Sequence, residues 1–99
     1  MNTIIFVCHG SICRSPAAGF IAKQYLKSLN REQEFNIIIR ATSNEEIGND
    51  IYPPMKKELE KRNISIEPHS ATRISQEEYE NADFVFYMDA ETIVSLKQR

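Results

Sequence analysis

The sequence has few of the residues that mark secreted, membrane-spanning or disordered proteins. It contains no tryptophan, three glycines, four prolines and two cysteines in 99 residues. No apolar run approaches the roughly 20 residues that a membrane span needs, and no basic segment with a long apolar stretch opens the chain. Hydrophobic residues make up 41% and charged residues 26%, the composition of a folded globular domain. We therefore expect a single domain over residues 1–99, cytoplasmic and without a membrane contact.

The sequence also lacks a large excess of charge of either sign. The formal net charge is −2 and no long basic run occurs. Nucleic acids and anionic membranes are bound largely through clustered positive charge. The sequence therefore predicts neither as a partner.

The two cysteines, Cys8 and Cys13, stand five positions apart around one predicted turn. A structural disulfide usually joins distant elements, so a disulfide between these two cysteines would stabilise the fold little. A structural zinc site needs about four ligands, and only His9 and His69 are available to join the cysteines. We therefore predict no metal and no cofactor, and interpret the cysteines as functional thiols in a reducing compartment.

Apolar, β-branched runs alternate with amphipathic segments along the chain. Ser75 and Glu78 have the spacing of a capping box at the start of a short helix. Strands that alternate with helices predict an α/β domain with a parallel sheet. The predicted elements are a strand at Thr3–Val7, a helix opened by Ser15 and Pro16, a strand at Phe35–Ala41, a helix from Pro53 to near Asn63, a strand at Phe84–Met88, and a last helical stretch capped by Asp89 that contains Ile93 and Leu96.

The segment between the first strand and the first helix reads C-H-G-S-I-C-R-S, from Cys8 to Ser15. A small-residue loop lets backbone N–H groups point inward, and the following helix adds free amides and its positive dipole end. Arg14 would add a bidentate cation for two phosphoryl oxygens. The same field stabilises a Cys8 thiolate, and Ser15 is placed to donate a hydrogen bond to it. The segment therefore predicts a phosphate-binding loop with a nucleophile.

The stretch V-C-H-G-S-I-C-R-S-P-A-A resembles the signature of the low-molecular-weight protein tyrosine phosphatases, V-C-x-G-N-I-C-R-S-P-x-A-E. The likeness continues through Ile47-Gly48, Asn63-Ile64, His69 and Tyr87-Met88-Asp89. It implies a three-layer α/β/α phosphotyrosine phosphatase-like fold. The family's strand order is 2-1-3-4, of which this chain would supply 2-1-3.

The resemblance also implies roles for the residues of the loop. The cysteine matching Cys8 attacks phosphorus to give phosphocysteine, while Arg14 holds the phosphoryl group and Ser15 supports the thiolate. Cys13 matches a cysteine that forms a reversible redox disulfide with the nucleophile. The implied ligands are a phosphorylated protein, a small aryl phosphate, and inorganic phosphate or sulfate. The residues expected to bind phosphate are His9, Gly10, Ser11, Ile12, Cys13 and Arg14.

Several positions depart from the family pattern. Ser11 replaces an asparagine that braces the loop through the histidine matching His69; a surface role for His69 is the alternative. Gly19 replaces a glutamate, at a cost of about 1 kcal/mol in helix propensity relative to alanine. Glu45 occupies roughly the place of the aromatic residue that, in the family, often walls the substrate cleft. Tyr52 offers either an aromatic face there or a core side chain.

The largest departure concerns the general acid. The family uses an aspartate in a D-P-Y/W-type loop downstream of the pair matching Met88-Asp89, and the 99 residues contain no D-P pair. Loss of a general acid typically costs about 10²–10⁴-fold in rate. Asp83, Asp89 and Asp50 are the candidate stand-ins. We therefore expect a partial, C-terminally truncated domain that turns over slowly.

The same departure predicts a structural consequence. Without the family's fourth strand, Phe84–Met88 would be an exposed apolar edge, and such edges pair with other chains. We expect self-association through that edge, or a partner segment that covers it.

Other functions stay open at this point. The protein can be a catalytically inactive phosphate-binding module or a phosphocysteine carrier; phosphotransferase-system IIB components are of similar length, but lack the six-position spacing from cysteine to arginine. Arsenate reductases relay electrons through further cysteines, and none follows Cys13. Protein-arginine phosphatases carry threonine where Ile12 stands, which favours the tyrosine-directed branch.

Overall fold

The computed structural model describes residues 2–10, 14–88 and 93–98. Four strands and three helices occur in these ranges. In chain order they are β1 (Asn2–Cys8), α1 (Arg14–Ser28), β2 (Phe35–Ala41), α2 (Pro53–Lys61), α3 (Gln76–Asn81), β3 (Phe84–Met88) and β4 (Ile93–Gln98).

The strands form one sheet in the order β2-β1-β3-β4. β1 pairs in parallel with β2, where Cys8 lies opposite Ala41, and in parallel with β3, where Val7 lies opposite Tyr87. The α/β class and the order of the first three strands are therefore confirmed. Parallel pairing places the carboxyl ends of β1, β2 and β3 at one edge of the sheet.

The last segment of the chain corrects the sequence-based prediction. Ile93–Gln98 is a strand, not a helix, and it pairs antiparallel with β3. The sheet is thus mixed and four strands wide. The prediction of an exposed third-strand edge was wrong, because β4 covers it, and the self-association predicted through that edge loses its basis.

Contacts with β3 and α3 explain why this segment is extended. Ile93 and Val94 are β-branched residues, which favour strands, and β3 offers unpaired backbone groups beside them. The Tyr79 hydroxyl donates to the Leu96 carbonyl at 2.9 Å. The Lys97 ammonium donates to the carbonyl of Tyr79 at 2.8 Å and to that of Glu80. These contacts connect β4 to α3, and they outweigh the helical spacing of the sequence.

The core has two parts, one for each face of the sheet. On one face Ile5 and Val7 of β1 pack with Val85 and with Ala82 at the end of α3. Ile39 of β2 points to the opposite face, because alternate residues of a strand do so. It packs there in a cluster of apolar residues from α1, α2 and the loop before α2: Phe20, Ile51 and Leu59.

Gly19 lets α1 approach β2 closely. A Cβ built on Gly19 would lie 2.5 Å from both Cδ1 and Cγ1 of Ile39. Position 19 therefore matters for packing beyond its helix propensity. The outer side of the same helix is solvent-facing, with Ile21 47% and Tyr25 64% exposed, and Leu29 just after it is 46% exposed.

None of the helices within residues 2–10, 14–88 and 93–98 is both long and apolar enough to cross a membrane.

Candidate active site

The candidate site lies at the carboxyl edge of the sheet. β1 ends at Cys8, and the chain turns there toward α1. The segment after β2 follows the same edge, because the Thr42 amide donates to the Cys8 carbonyl at 3.0 Å and the Ser43 amide to the His9 carbonyl at 3.1 Å. The residues around the predicted nucleophile are thus held by backbone hydrogen bonds from the segment after β2.

Two buried side chains meet at this point. Cys8 is 3% exposed and Ser15 is fully buried. Cys8 Sγ lies 3.3 Å from Ser15 Oγ, and the Ser15 hydroxyl donates to the carbonyl of Arg40 at 3.3 Å. The structure therefore brings together the cysteine at the end of β1 and the serine at the start of α1, seven positions later.

The Ser15 hydroxyl can serve either protonation state of Cys8. A thiol donates its S–H to Ser15 Oγ, while the Ser15 hydroxyl keeps its hydrogen bond to the Arg40 carbonyl. A thiolate is an acceptor only, so the hydroxyl turns and donates to sulfur. Ser15 is therefore placed to hydrogen-bond the sulfur in either state.

Arg14 begins α1 and is exposed. Its guanidinium is therefore accessible from solvent at the end of the helix where backbone amides lack intrahelical partners. The helix starts one residue earlier than the predicted cap, a difference typical of helix termini. The predicted phosphate ligands Ser11, Ile12 and Cys13 lie outside the described residues, and so does the redox pairing of Cys8 with Cys13.

A polar pair that the sequence analysis missed lies beside the nucleophile. His9 Nε2 is 2.8 Å from Glu45 Oε2, and the two side chains are 55% and 70% exposed. The Ser43 hydroxyl donates to the His9 carbonyl at 2.9 Å. Glu45 thus contacts the residue next to Cys8. The parallel register of β1 and β2 was the available signal, since it places the residues after Ala41 near those after Cys8.

Below the site, Arg40 connects the sheet to α3. Its Nη2 lies 2.7 Å from Glu78 Oε2 and its Nε donates to the same oxygen at 2.9 Å. Glu78 also completes the capping box with Ser75, which confirms that prediction. Burial disfavours the charge of Glu78, but the hydrogen bonds from Arg40 and Ser75 and the charge of Arg40 outweigh it and lower its pKa. The Arg40–Glu78 pair fixes the end of β2, where the Arg40 carbonyl accepts the hydrogen bond from the Ser15 hydroxyl.

His69 packs edge-on against Phe20, with ring centroids 6.3 Å apart and an interplanar angle of 83°. It is partly buried. His69 thus contacts α1 downstream of the loop, and the two roles considered for it stay predictions. The predicted brace through Ser11 lies outside the described residues. Tyr52 is 49% exposed, which rules out the core role considered for it.

Of the candidate substitutes for the general acid, one lies far from the cysteine and one lies outside the described residues. The Asp83 carboxylate accepts from the Thr3 amide at 2.8 Å, at the amino end of β1. Thr3 and Cys8 are five strand residues apart, about 17 Å, so Asp83 was a wrong candidate. Asp50 lies 3.9 Å from Lys56 at the start of α2. Asp89 lies outside the described residues.

Within the part of the chain that the structure describes, no three side chains of histidine, cysteine, aspartate or glutamate are grouped to hold a metal ion.

Comparison with known proteins agrees with this geometry. The family model "Low molecular weight phosphotyrosine protein phosphatase" matches residues 3–99. The phosphatase YfkJ of Bacillus subtilis is 30% identical over 97 residues, and the alignment covers 98% of this chain and 62% of the relative. The human low molecular weight phosphotyrosine protein phosphatase is 30% identical, with coverages of 99% and 61%.

Solved structures give the same result. The crystal structure of YfkJ superposes with a TM-score of 0.86 at 28% identity, covering 92% of this chain and 57% of that one. The phosphatase SP-PTP of Streptococcus pyogenes gives 0.82 at 32% identity, with coverages of 92% and 59%. This chain thus spans 61–62% of the length of the two curated relatives described above. It belongs to the low molecular weight phosphotyrosine protein phosphatase family.

Proposed function

We propose that this protein hydrolyses phosphomonoesters, phosphotyrosine among them, through a phosphocysteine intermediate. The observation that supports this proposal most strongly is the buried contact of 3.3 Å between Cys8 Sγ at the end of β1 and Ser15 Oγ at the start of α1. The six-position spacing from Cys8 to Arg14 and the family membership support the same reaction. The cytoplasmic location predicted from composition stays a prediction.

In the first step the Cys8 thiolate attacks phosphorus, and the bond between phosphorus and the leaving oxygen breaks. The leaving oxygen takes the electron pair and a proton. Arg14 and the loop amides stabilise the negative charge on the equatorial oxygens of the phosphoryl group. Ser15 donates to sulfur while the thiolate awaits substrate. Its hydroxyl can return to the Arg40 carbonyl once sulfur is bonded to phosphorus.

In the second step water attacks the phosphocysteine. The phosphorus–sulfur bond breaks, sulfur leaves as thiolate, and inorganic phosphate forms. Ser15 again donates to the departing sulfur and so lowers the barrier to its release. The water proton passes to a base or to solvent.

The 99 residues contain no Asp-Pro pair, so we propose that the 99-residue chain protonates the leaving group poorly. An aryl phosphate with an acidic phenol needs little help from an acid, whereas the tyrosine oxygen needs much. We expect the 99-residue chain to favour p-nitrophenyl phosphate over phosphotyrosine by about 10²-fold or more in kcat/KM, the range of a lost general acid.

The test is phosphate release from both substrates by the 99-residue chain and its Cys8→Ser variant. Release that disappears in Cys8→Ser supports the proposal. A single turnover followed by a stable phosphorylated protein indicates a phosphocysteine carrier instead. If neither substrate shows Cys8-dependent phosphate release, the proposed enzymatic function is contradicted and a phosphate-binding module is favoured.

A further inference from the structure

The rim of the candidate site carries a carboxylate fixed next to the nucleophile. Glu45 Oε2 lies 2.8 Å from His9 Nε2, and His9 directly follows Cys8. The Glu45 side chain is 70% exposed. It is therefore held in place and still accessible to a bound ligand.

The backbone holds Glu45 at this position independently of its side chain. The Ser43 amide and hydroxyl both donate to the His9 carbonyl, at 3.1 Å and 2.9 Å. The Glu45 amide approaches the Ser43 hydroxyl at 3.4 Å. Two hydrogen bonds thus connect the rim segment to the predicted phosphate loop and a third lies within the segment, so the backbone at position 45 is held whatever its side chain.

One oxygen of Glu45 is used by His9, while Oε1 has no hydrogen bond to another residue in ranges 2–10, 14–88 and 93–98. A carboxylate accepts up to four hydrogen bonds. Because His9 directly follows Cys8, this unused capacity lies at the rim of the candidate site, beside the predicted nucleophile. That position attracts a cation or an N–H donor and repels an acidic group.

We propose that Glu45, oriented by His9, selects phosphotyrosine peptides that carry arginine or lysine next to the phosphorylated residue. This inference rests on the proposed function and names its substrate class. Exposed ion pairs are weak and screened by salt. The expected preference is therefore about two- to five-fold in kcat/KM at low ionic strength, and it shrinks as salt is added.

The experiment uses two phosphotyrosine peptides that differ only in arginine or glutamate beside the phosphotyrosine. The ratio of their kcat/KM values is compared in the unaltered protein, Glu45→Gln and Glu45→Lys. The ratio cancels any general effect of a substitution on phosphate binding. We expect the unaltered protein to favour the arginine peptide, Glu45→Gln to bring the ratio near one, and Glu45→Lys to invert it.

Glu34→Lys is the matched control. Glu34 is also exposed and ion-paired, with Arg31 at 2.8 Å. Its carbonyl accepts from the Asn2 amide at the amino end of the sheet, away from Cys8. The substitution changes net charge as Glu45→Lys does, so an equal change of the ratio in both variants would mean bulk electrostatics and would overturn the inference.

Failure of this inference is distinguishable from failure of the proposed function. Turnover of both peptides with a ratio that Glu45→Lys does not move overturns the selection and leaves the phosphatase intact. If no peptide is turned over, binding of the two peptides to the Cys8→Ser variant replaces kcat/KM. A preference there that inverts with Glu45→Lys supports the selection, and equal affinities overturn it.

Discussion

The contact between α1 and β2 offers the sharpest test of the packing that positions the candidate site. A Cβ at position 19 would lie 2.5 Å from Cδ1 and Cγ1 of Ile39. Ile39 is only 8% exposed, so it has little room to move. The substitution Gly19→Ala therefore forces either the Ile39 rotamer or the helix to shift.

Two opposing effects set the result. Alanine gains about 1 kcal/mol of helix propensity over glycine. Overpacking a core typically costs about 1–3 kcal/mol. The net expectation is a destabilisation of about 1 kcal/mol, although an exposed helix glycine would give stabilisation of that size. Ile39→Val removes Cδ1 and by itself costs about 0.5–1.5 kcal/mol.

The assay is urea unfolding of Gly19→Ala, Ile39→Val and the double variant. Because valine removes Cδ1, one of the two clashing atoms, the double variant should be more stable than additivity predicts, by about 0.5–1 kcal/mol. Gly48→Ala is the control: Gly48 has φ 88° and no atom within 4 Å of its built Cβ, so its cost comes from the backbone and Ile39→Val should not relieve it. Stabilisation by Gly19→Ala alone, or an additive cycle, would refute the close approach.

Three further predictions concern the site and its support. Ser15→Ala removes the donor to Cys8, so kcat should fall by about 10- to 100-fold, as expected for one hydrogen bond to a charged group, with a smaller change in KM; unchanged kcat would contradict the role. The hydrogen bonds from Arg40 and Ser75 lower the pKa of Glu78 in the fold, so its contribution to the free energy of unfolding is present above the ordinary carboxyl pKa of about 4.3 and is lost as pH falls. Glu78→Gln, which keeps the capping box, should therefore cost about 1–2 kcal/mol at pH 7 and less in acid. A cost that does not change with pH would contradict this role of the Glu78 charge. Tyr79→Phe removes the hydrogen bond to β4 and should cost about 0.5–1.5 kcal/mol, with faster amide exchange confined to β4 as the distinguishing observation.

The sequence was sufficient for most of the fold because its signals were local. Continuous apolar runs marked β1, β2 and β3, the pair Ser15-Pro16 marked the start of α1 to within two residues, and Ser75 with Glu78 marked α3. Each of these is decided by neighbouring residues. The outcome matches because propensity and tertiary context agree there.

β4 escaped prediction because its conformation depends on pairing with β3 and on contacts with α3, not on its own residue pattern. Ile93 and Leu96 have helical spacing, which says nothing of the unpaired edge of β3. The Tyr79–Leu96 and Lys97–Tyr79 hydrogen bonds join residues 17 and 18 positions apart. Hydrogen bonding to that edge decided between two conformations that the local pattern left close in free energy.

At the candidate site, the sequence identified the chemistry but not the surroundings. Spacing and resemblance pointed to Cys8 and Ser15, which the structure brings within 3.3 Å. The His9–Glu45 pair joins residues 36 positions apart, so it required the register between β1 and β2. Gly19 was interpreted only through helix propensity, because its neighbour Ile39 is likewise brought to it by the fold.

The measurement that tests the central claim most directly is detection of the covalent intermediate. The protein is mixed rapidly with p-nitrophenyl phosphate, quenched, and examined by phosphorus NMR and peptide mass spectrometry. The account predicts one phosphoryl group on the sulfur of Cys8, formed as fast as p-nitrophenol is released and absent in Cys8→Ser. Phosphate release without a phosphorylated Cys8, or undiminished release by Cys8→Ser, would contradict it.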